Sequence, residues 1–201
     1  MKSVITFLFL ITVTVPVFCQ EPNSKVDVEY QKWLKENTQN VKMSLDKFTH
    51  TATVQHLTLF PYVDHLGIQR VLSLQVVVQI KHKSKTVYQP SFWLFLSYNG
   101  DEWQYLNCHD FHWLVDGKTF KYQSEKYTHE MSGDGVSESF DMLLTEKQFK
   151  KLSQVQKVEG EICNDQFTFE KTQLFSIRAV DEKYEEIMED IKKENNNSTV
   201  K

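Results

Sequence analysis

From Leu72 onward the chain alternates. Leu72, Leu74, Val76, Val78 and Ile80 are apolar, while Ser73, Gln75, Gln79 and Lys81 lie between them and Val77 is the one exception. Successive side chains of an extended chain point to opposite faces, so this pattern predicts a strand with one face on a core and one towards water. Residues 51–60, with Val54, Leu57 and Leu59, carry a weaker strand signal that Pro61 is expected to end, because proline removes a ladder donor. Residues 91–98 read Ser-Phe-Trp-Leu-Phe-Leu-Ser-Tyr, a nearly unbroken apolar run that predicts a central strand covered on both faces. Asn99-Gly100 follows and accepts the positive φ angles of a two-residue turn, so residues 101–106 are expected to fold back antiparallel. Asp116-Gly117 signals a second hairpin between 113–115 and 120–122, and residues 132–135 (Ser-Gly-Asp-Gly) make a further break. Beyond it Val136, Phe140, Met142 and Leu144 alternate, with the acidic Glu138 standing in an apolar position.

Helical patterns come next. Thr145 is followed three residues later by Gln148, and Leu144 is spaced to meet Phe149 across the first turn, which predicts a capped helix with Phe149 and Leu152 inward. Short strands are expected over 155–163 and 167–169, joined through Asn164-Asp165. Leu174, Ile177, Val180, Tyr184, Ile187 and Ile191 then recur at steps of three and four, opposite a face of acids that runs from Asp181 to Asp190. That is an amphipathic helix. A short helix over 26–37 fits the sparse apolar residues of a polar lead-in, 20–40. The fold implied is mainly β: an antiparallel β-sandwich or curled barrel with one short internal helix and a C-terminal amphipathic helix. It occupies a single domain, 41–194, and residues 195–201 are expected to be a disordered polar tail.

The first residues change the picture by setting a compartment. Lys2, an apolar stretch over 4–18 and the polar Gln20 after Cys19 make the pattern of a signal peptide, 1–19. The apolar stretch falls short of the roughly twenty residues a spanning helix needs. Phe18 before Cys19 argues against acylation of that cysteine. Cleavage is therefore expected between Cys19 and Gln20, and the chain is expected to be secreted or periplasmic. The net charge of −4 argues against nucleic acid as a partner.

Export bears on Cys108 and Cys163, the two cysteines left after cleavage. In an oxidising compartment they are expected to pair as a disulfide, and the alternative is two buried thiols behaving as small hydrophobes.

Candidate chemistry is thin. Cys108-His109-Asp110-Phe111-His112 is the densest group of potential ligands, and His109, Asp110 and His112 are of the types that hold zinc. No His-Glu-x-x-His or paired Cys-x-x-Cys accompanies them, and a disulfide would withdraw Cys108. There is no Gly-x-Ser-x-Gly elbow and no glycine-rich phosphate loop. The acids Glu125, Glu130, Asp134, Glu138 and Asp141 share no defined spacing. Trp93, Tyr98, Trp103, Tyr105, Trp113, Tyr122 and Tyr127 include the ring types that stack on sugars, although aromatics more often fill cores. Asn196 and Asn197 begin N-glycosylation patterns that matter in a eukaryotic source. The sequence thus points to a non-catalytic binding or interaction protein without a cofactor, its partner an unidentified protein or an envelope or extracellular ligand. Two alternatives stand beside it: a metal-dependent hydrolase centred on His109, Asp110 and His112, with zinc as the candidate metal, and a carbohydrate-binding module using surface Trp and Tyr.

Overall fold

The alternation at Leu72–Ile80 lies within β3 (Gln69–Ser84), and all five of its apolar side chains are buried. β3 is flanked by β2 (Thr51–Val63) and β4 (Val87–Gly100), each paired to it antiparallel along nearly its whole length. The computed structural model describes residues 25–37, 40–46, 48–84, 87–133 and 135–198. The expected signal peptide, the start of the lead-in, Asp134 and residues 199–201 lie outside the described residues.

Two antiparallel sheets result. The larger contains β1 (Lys42–Asp46), β7 (Ser124–Ser132) and β8 (Gly135–Leu144), in the order β1-β2-β3-β4-β8-β7. The smaller contains β5 (Phe111–Val115), β6 (Lys118–Thr119), β9 (Val158–Ile162) and β10 (Asp165–Thr168), in the order β10-β9-β5-β6. Their inner faces share one core, in which Phe60 meets Phe167 and Phe169, and Phe111 meets Phe140. Of the helices, α1 spans Lys25–Asn37, α2 spans Glu146–Leu152 and α3 spans Lys171–Ser198. Ile177, Val180 and Tyr184 of α3 join the same core. Tyr30 fastens α1 to α3, donating to Glu182 at 2.6 Å under the Arg178 guanidinium. Among the described residues no helix is long and apolar enough to cross a membrane.

Several sequence signals act as read. Thr145 and Gln148 form the capping box of α2, and Asp116 (φ 48) with Gly117 (φ 73) makes a two-residue turn, although the returning strand is β6 at Lys118–Thr119 and not the expected 120–122, which form no strand. In β8 every second residue is buried, Glu138 included.

Other expectations are corrected. Pro61 does not end β2, which runs on to Val63. β1 covers β2 only over Thr51–Gln55, so Pro61 stands at an open edge, where proline is tolerated. Asn99-Gly100 does not turn the chain: the pair lies opposite Ser137 and Val136 of β8, and residues 101–110 form no strand. Gly100 serves close packing instead. A Cβ there would sit 2.1 Å from the Tyr98 hydroxyl. β4 is central but not covered on both faces, since Phe92, Leu94, Leu96 and Tyr98 are buried while Trp93 and Phe95 on the outer face are half-buried. The strand read as 155–163 begins at Val158, and its turn is Cys163-Asn164, one residue earlier than expected, with Cys163 at φ 58. α3 continues to Ser198, past the boundary placed at 194. β7 carries almost no apolar alternation and was not legible as a strand; the hairpin through Gly133 (φ 61) brings it onto β8.

Candidate functional site

Two buried carboxylates organise the irregular segment 101–110. Glu138, from the middle of β8, accepts the main-chain N–H groups of Gln104 at 2.6 Å and Tyr105 at 2.9 Å, and the Tyr127 hydroxyl at 2.6 Å. The acid in an apolar register position is thus the anchor for a stretch that has no strand partner. Asp165 opens β10 and is 2% exposed. It accepts the His65 main-chain N–H at 2.8 Å, lies 2.7 Å from His65 Nδ1, and receives Gln104 Nε2 at 3.1 Å and the Tyr105 hydroxyl at 3.2 Å. Because Tyr105 donates to Asp165, the Tyr62 hydroxyl donates to Tyr105 at 2.6 Å. Burial pushes both phenols well above the ordinary tyrosine range, so they remain donors.

The β2–β3 turn closes this network. Burial works against the charge on Asp64, but the N–H groups of Ile68 and Leu66 and the Arg70 guanidinium bond to its carboxylate and hold it below the usual range. Arg70 also donates to Tyr98 at 3.3 Å. A histidine oriented by a buried aspartate is the arrangement that activates nucleophiles in hydrolases. Here His65 has no hydroxyl or thiol bonded to its ring among the described residues, and its aspartate is shared with three other donors. The constellation ties β2, β10 and the 101–110 segment together.

The side chains of the expected metal group engage different neighbours. His109 stacks on Tyr127, with centroids 3.8 Å apart, and its Nε2 lies 3.1 Å from the Leu106 carbonyl. Asp110 is exposed, and its carbonyl accepts the Cys163 N–H at 2.8 Å. His112 lies on the outer face of β5, directly across from Glu161. Among the described residues no three His, Cys, Asp or Glu side chains converge in a way that could hold a metal ion. Cys108 and Cys163 meet at disulfide distance, with sulfurs 2.11 Å and Cα atoms 6.0 Å apart. Of the seven aromatics, Tyr98, Tyr105 and Trp113 are buried, and Trp93, Trp103, Tyr122 and Tyr127 are half-buried. The acids separate too: Tyr122 donates to Glu125, Ser139 to Asp141, and Glu130 is exposed. Asn196 and Asn197 fall in the last turn of α3.

A concavity forms where β10 passes the open end of β2. Its volume is about 530 Å³. Pro61, Val63 and Leu114 supply apolar walls, and His112, Glu159 and Glu161 supply polar ones. Glu159 and Glu161 share the outer face of β9 because they are two residues apart on a strand. Between them Gly160 lets the Phe167 ring close in, since a Cβ there would sit 2.2 Å from Phe167 Cζ. A volume in the range of small-molecule sites, with apolar sides and a few polar groups, suits a compact amphipathic ligand. Of the candidate ligand, catalytic and sugar-stacking residues named from the sequence only His112 belongs to this groove. The others come from three stretches far apart in the chain, which no local pattern marks.

Comparison with known protein families, with curated proteins and with solved structures finds no significant match to this chain.

Proposed function

We propose that this chain is an exported binding protein that acts without catalysis and takes a small, partly apolar ligand in the groove between β2 and β10. The groove carries this reading: it is concave, of ligand size, and walled by Pro61, Val63 and Leu114 with Glu159 and Glu161 at one side. Glu159 pairs with Lys157 at 2.7 Å and Glu161 accepts from Gln166 Nε2 at 2.7 Å, but each carboxylate keeps a second oxygen and further lone pairs as acceptors. The ligand therefore presents donors, an amine above all. Export is supported by the leader-like pattern over 1–19 and by two cysteines at bonding distance, which an oxidising compartment joins.

The test is calorimetric titration with a series of apolar primary amines and with their carboxylate counterparts. Amines are expected to bind, and Glu161→Gln is expected to weaken them about tenfold by removing a charge-assisted hydrogen bond. Equal binding of amines and carboxylates, or no binding of either series, would sink the proposal. Export has its own readout, because the intact mass of secreted material is expected to begin at Gln20.

A further inference from the structure

The larger sheet ends in β7, and this edge is long. β7 has nine residues, against five in β1 at the other edge and two and four in the edge strands of the smaller sheet. It pairs with β8 residue for residue, Ser124 with Leu143 through Ser132 with Gly135, without a bulge. It contains neither proline nor glycine. Among the described residues no other segment bonds to its outward main chain. A strand of this length, without a bulge and with unpaired N–H and C=O groups, is a template for another strand.

The side chains say which strand fits. On the outer face β7 presents Lys126, Thr128 and Glu130, and Lys126 and Glu130 are exposed. Thr128 is the midpoint of Ser124–Ser132, with one charge two residues to each side. An antiparallel partner with the same sequence, placed about a twofold axis at Thr128, therefore sets Lys126 of each copy against Glu130 of the other. This register also engages all nine residues. Registers centred on Tyr127 or His129 leave the charges unmatched, and those centred on Lys126 or Glu130 oppose like charges. Charged residues often protect an edge from pairing, but here their spacing is complementary to itself.

We propose that β7 is a dimerisation edge, where two copies of this chain join antiparallel about Thr128 and extend the six-stranded sheet of each into one continuous sheet. The interface is isologous, as a twofold requires. β2 is separated from β7 by β3, β4 and β8, so both ligand grooves stay open at the far ends. The inference is independent of what those grooves hold.

Sedimentation velocity on the folded chain, from micromolar to millimolar concentration, reads it directly. The wild type is expected to move from monomer to dimer across this range. Glu130→Lys and Lys126→Glu each place two like-charge pairs across the twofold and are expected to weaken self-association about tenfold. Mixed in equal amounts, the two variants present opposite charges at every outer-face pair and are expected to associate about as tightly as the wild type. Both positions are exposed, so circular dichroism should show unchanged folds. A wild type that stays monomeric throughout overturns the proposal. So does either variant dimerising as tightly as the wild type, or a mixture that fails to associate.

Discussion

The main-chain N–H of Tyr105 donates to the Glu138 carboxylate at 2.9 Å, across 33 residues of sequence and inside the core. With the bonds from Gln104 and Tyr127, this one side chain replaces the strand partner that residues 101–110 lack. Truncation would leave three donors unpaired, that of Tyr105 fully buried and the other two partly so. Glu138→Ala is therefore expected to destabilise the fold by about 3 kcal/mol, whereas Tyr127→Phe, which deletes one donor, costs about 1 kcal/mol. Urea unfolding midpoints of the two variants against the wild type check the ranking.

His56 behaves oppositely. It is buried on the inner face of β2 beneath Trp33 of α1, and neither ring nitrogen has a hydrogen-bond partner among the described residues. Burial lowers its pKa, so the native ring refuses a proton that the unfolded chain accepts below about pH 6.5. Its contribution to stability falls as pH drops through that value and keeps falling until the native ring itself titrates. His56→Leu is expected to be more stable than the wild type by about 1 kcal/mol at neutral pH, since two unpaired nitrogens are removed. The gain should widen below about pH 6. Unfolding midpoints at neutral and mildly acidic pH measure both effects; a gain that does not grow on acidification would refute the protonation argument.

Cys108 and Cys163 close a loop across a sequence separation of 55 and pin the 101–110 segment to the β9–β10 turn. Replacing both with alanine is expected to cost about 2–5 kcal/mol. Non-reducing peptide mapping of the secreted protein should recover the linked peptides, and thermal melting of the double variant gives the loss.

Gly160 faces Phe167 on one side and Trp113 on the other in the small sheet. Because an added Cβ would meet the Phe167 ring at 2.2 Å, Gly160→Ala is expected to displace the ring and destabilise by about 1–3 kcal/mol. In a Phe167→Leu background the same substitution should cost clearly less, as contacting residues are not additive. A double-mutant cycle by urea unfolding decides it.

Much of the fold is local and therefore legible. The alternations at Leu72–Ile80 and Val136–Leu144 reveal which faces are buried, because the side-chain period of a strand is set by its backbone alone. Thr145 with Gln148, and Asp116 with Gly117, mark a helix start and a turn because their effect depends only on neighbours a few residues away. Cys108 and Cys163 were legible as a pair for want of competitors once a leader is removed.

Partners are not local. Asn99-Gly100 is a turn sequence that forms no turn, since β8 brings a matching apolar face to β4 and burying that face outweighs a local preference. β7 is invisible in hydropathy because an edge strand buries little, and the apolar run 91–98 predicts cover for Trp93 and Phe95 although among the described residues no second layer packs over the outer face. Glu138 is an interruption in the sequence and an anchor in the structure, since only folding brings Tyr105 and Tyr127 to it. The groove joins Pro61, His112 and Glu161 from three distant stretches. Short-range periodicity in the chain itself determined most of its strands and helices and the Asp116-Gly117 turn, with β7 and the Asn99-Gly100 pair as exceptions. Only the tertiary structure decided which strands meet and where the surface is concave, because those depend on the summed burial of faces far apart in sequence.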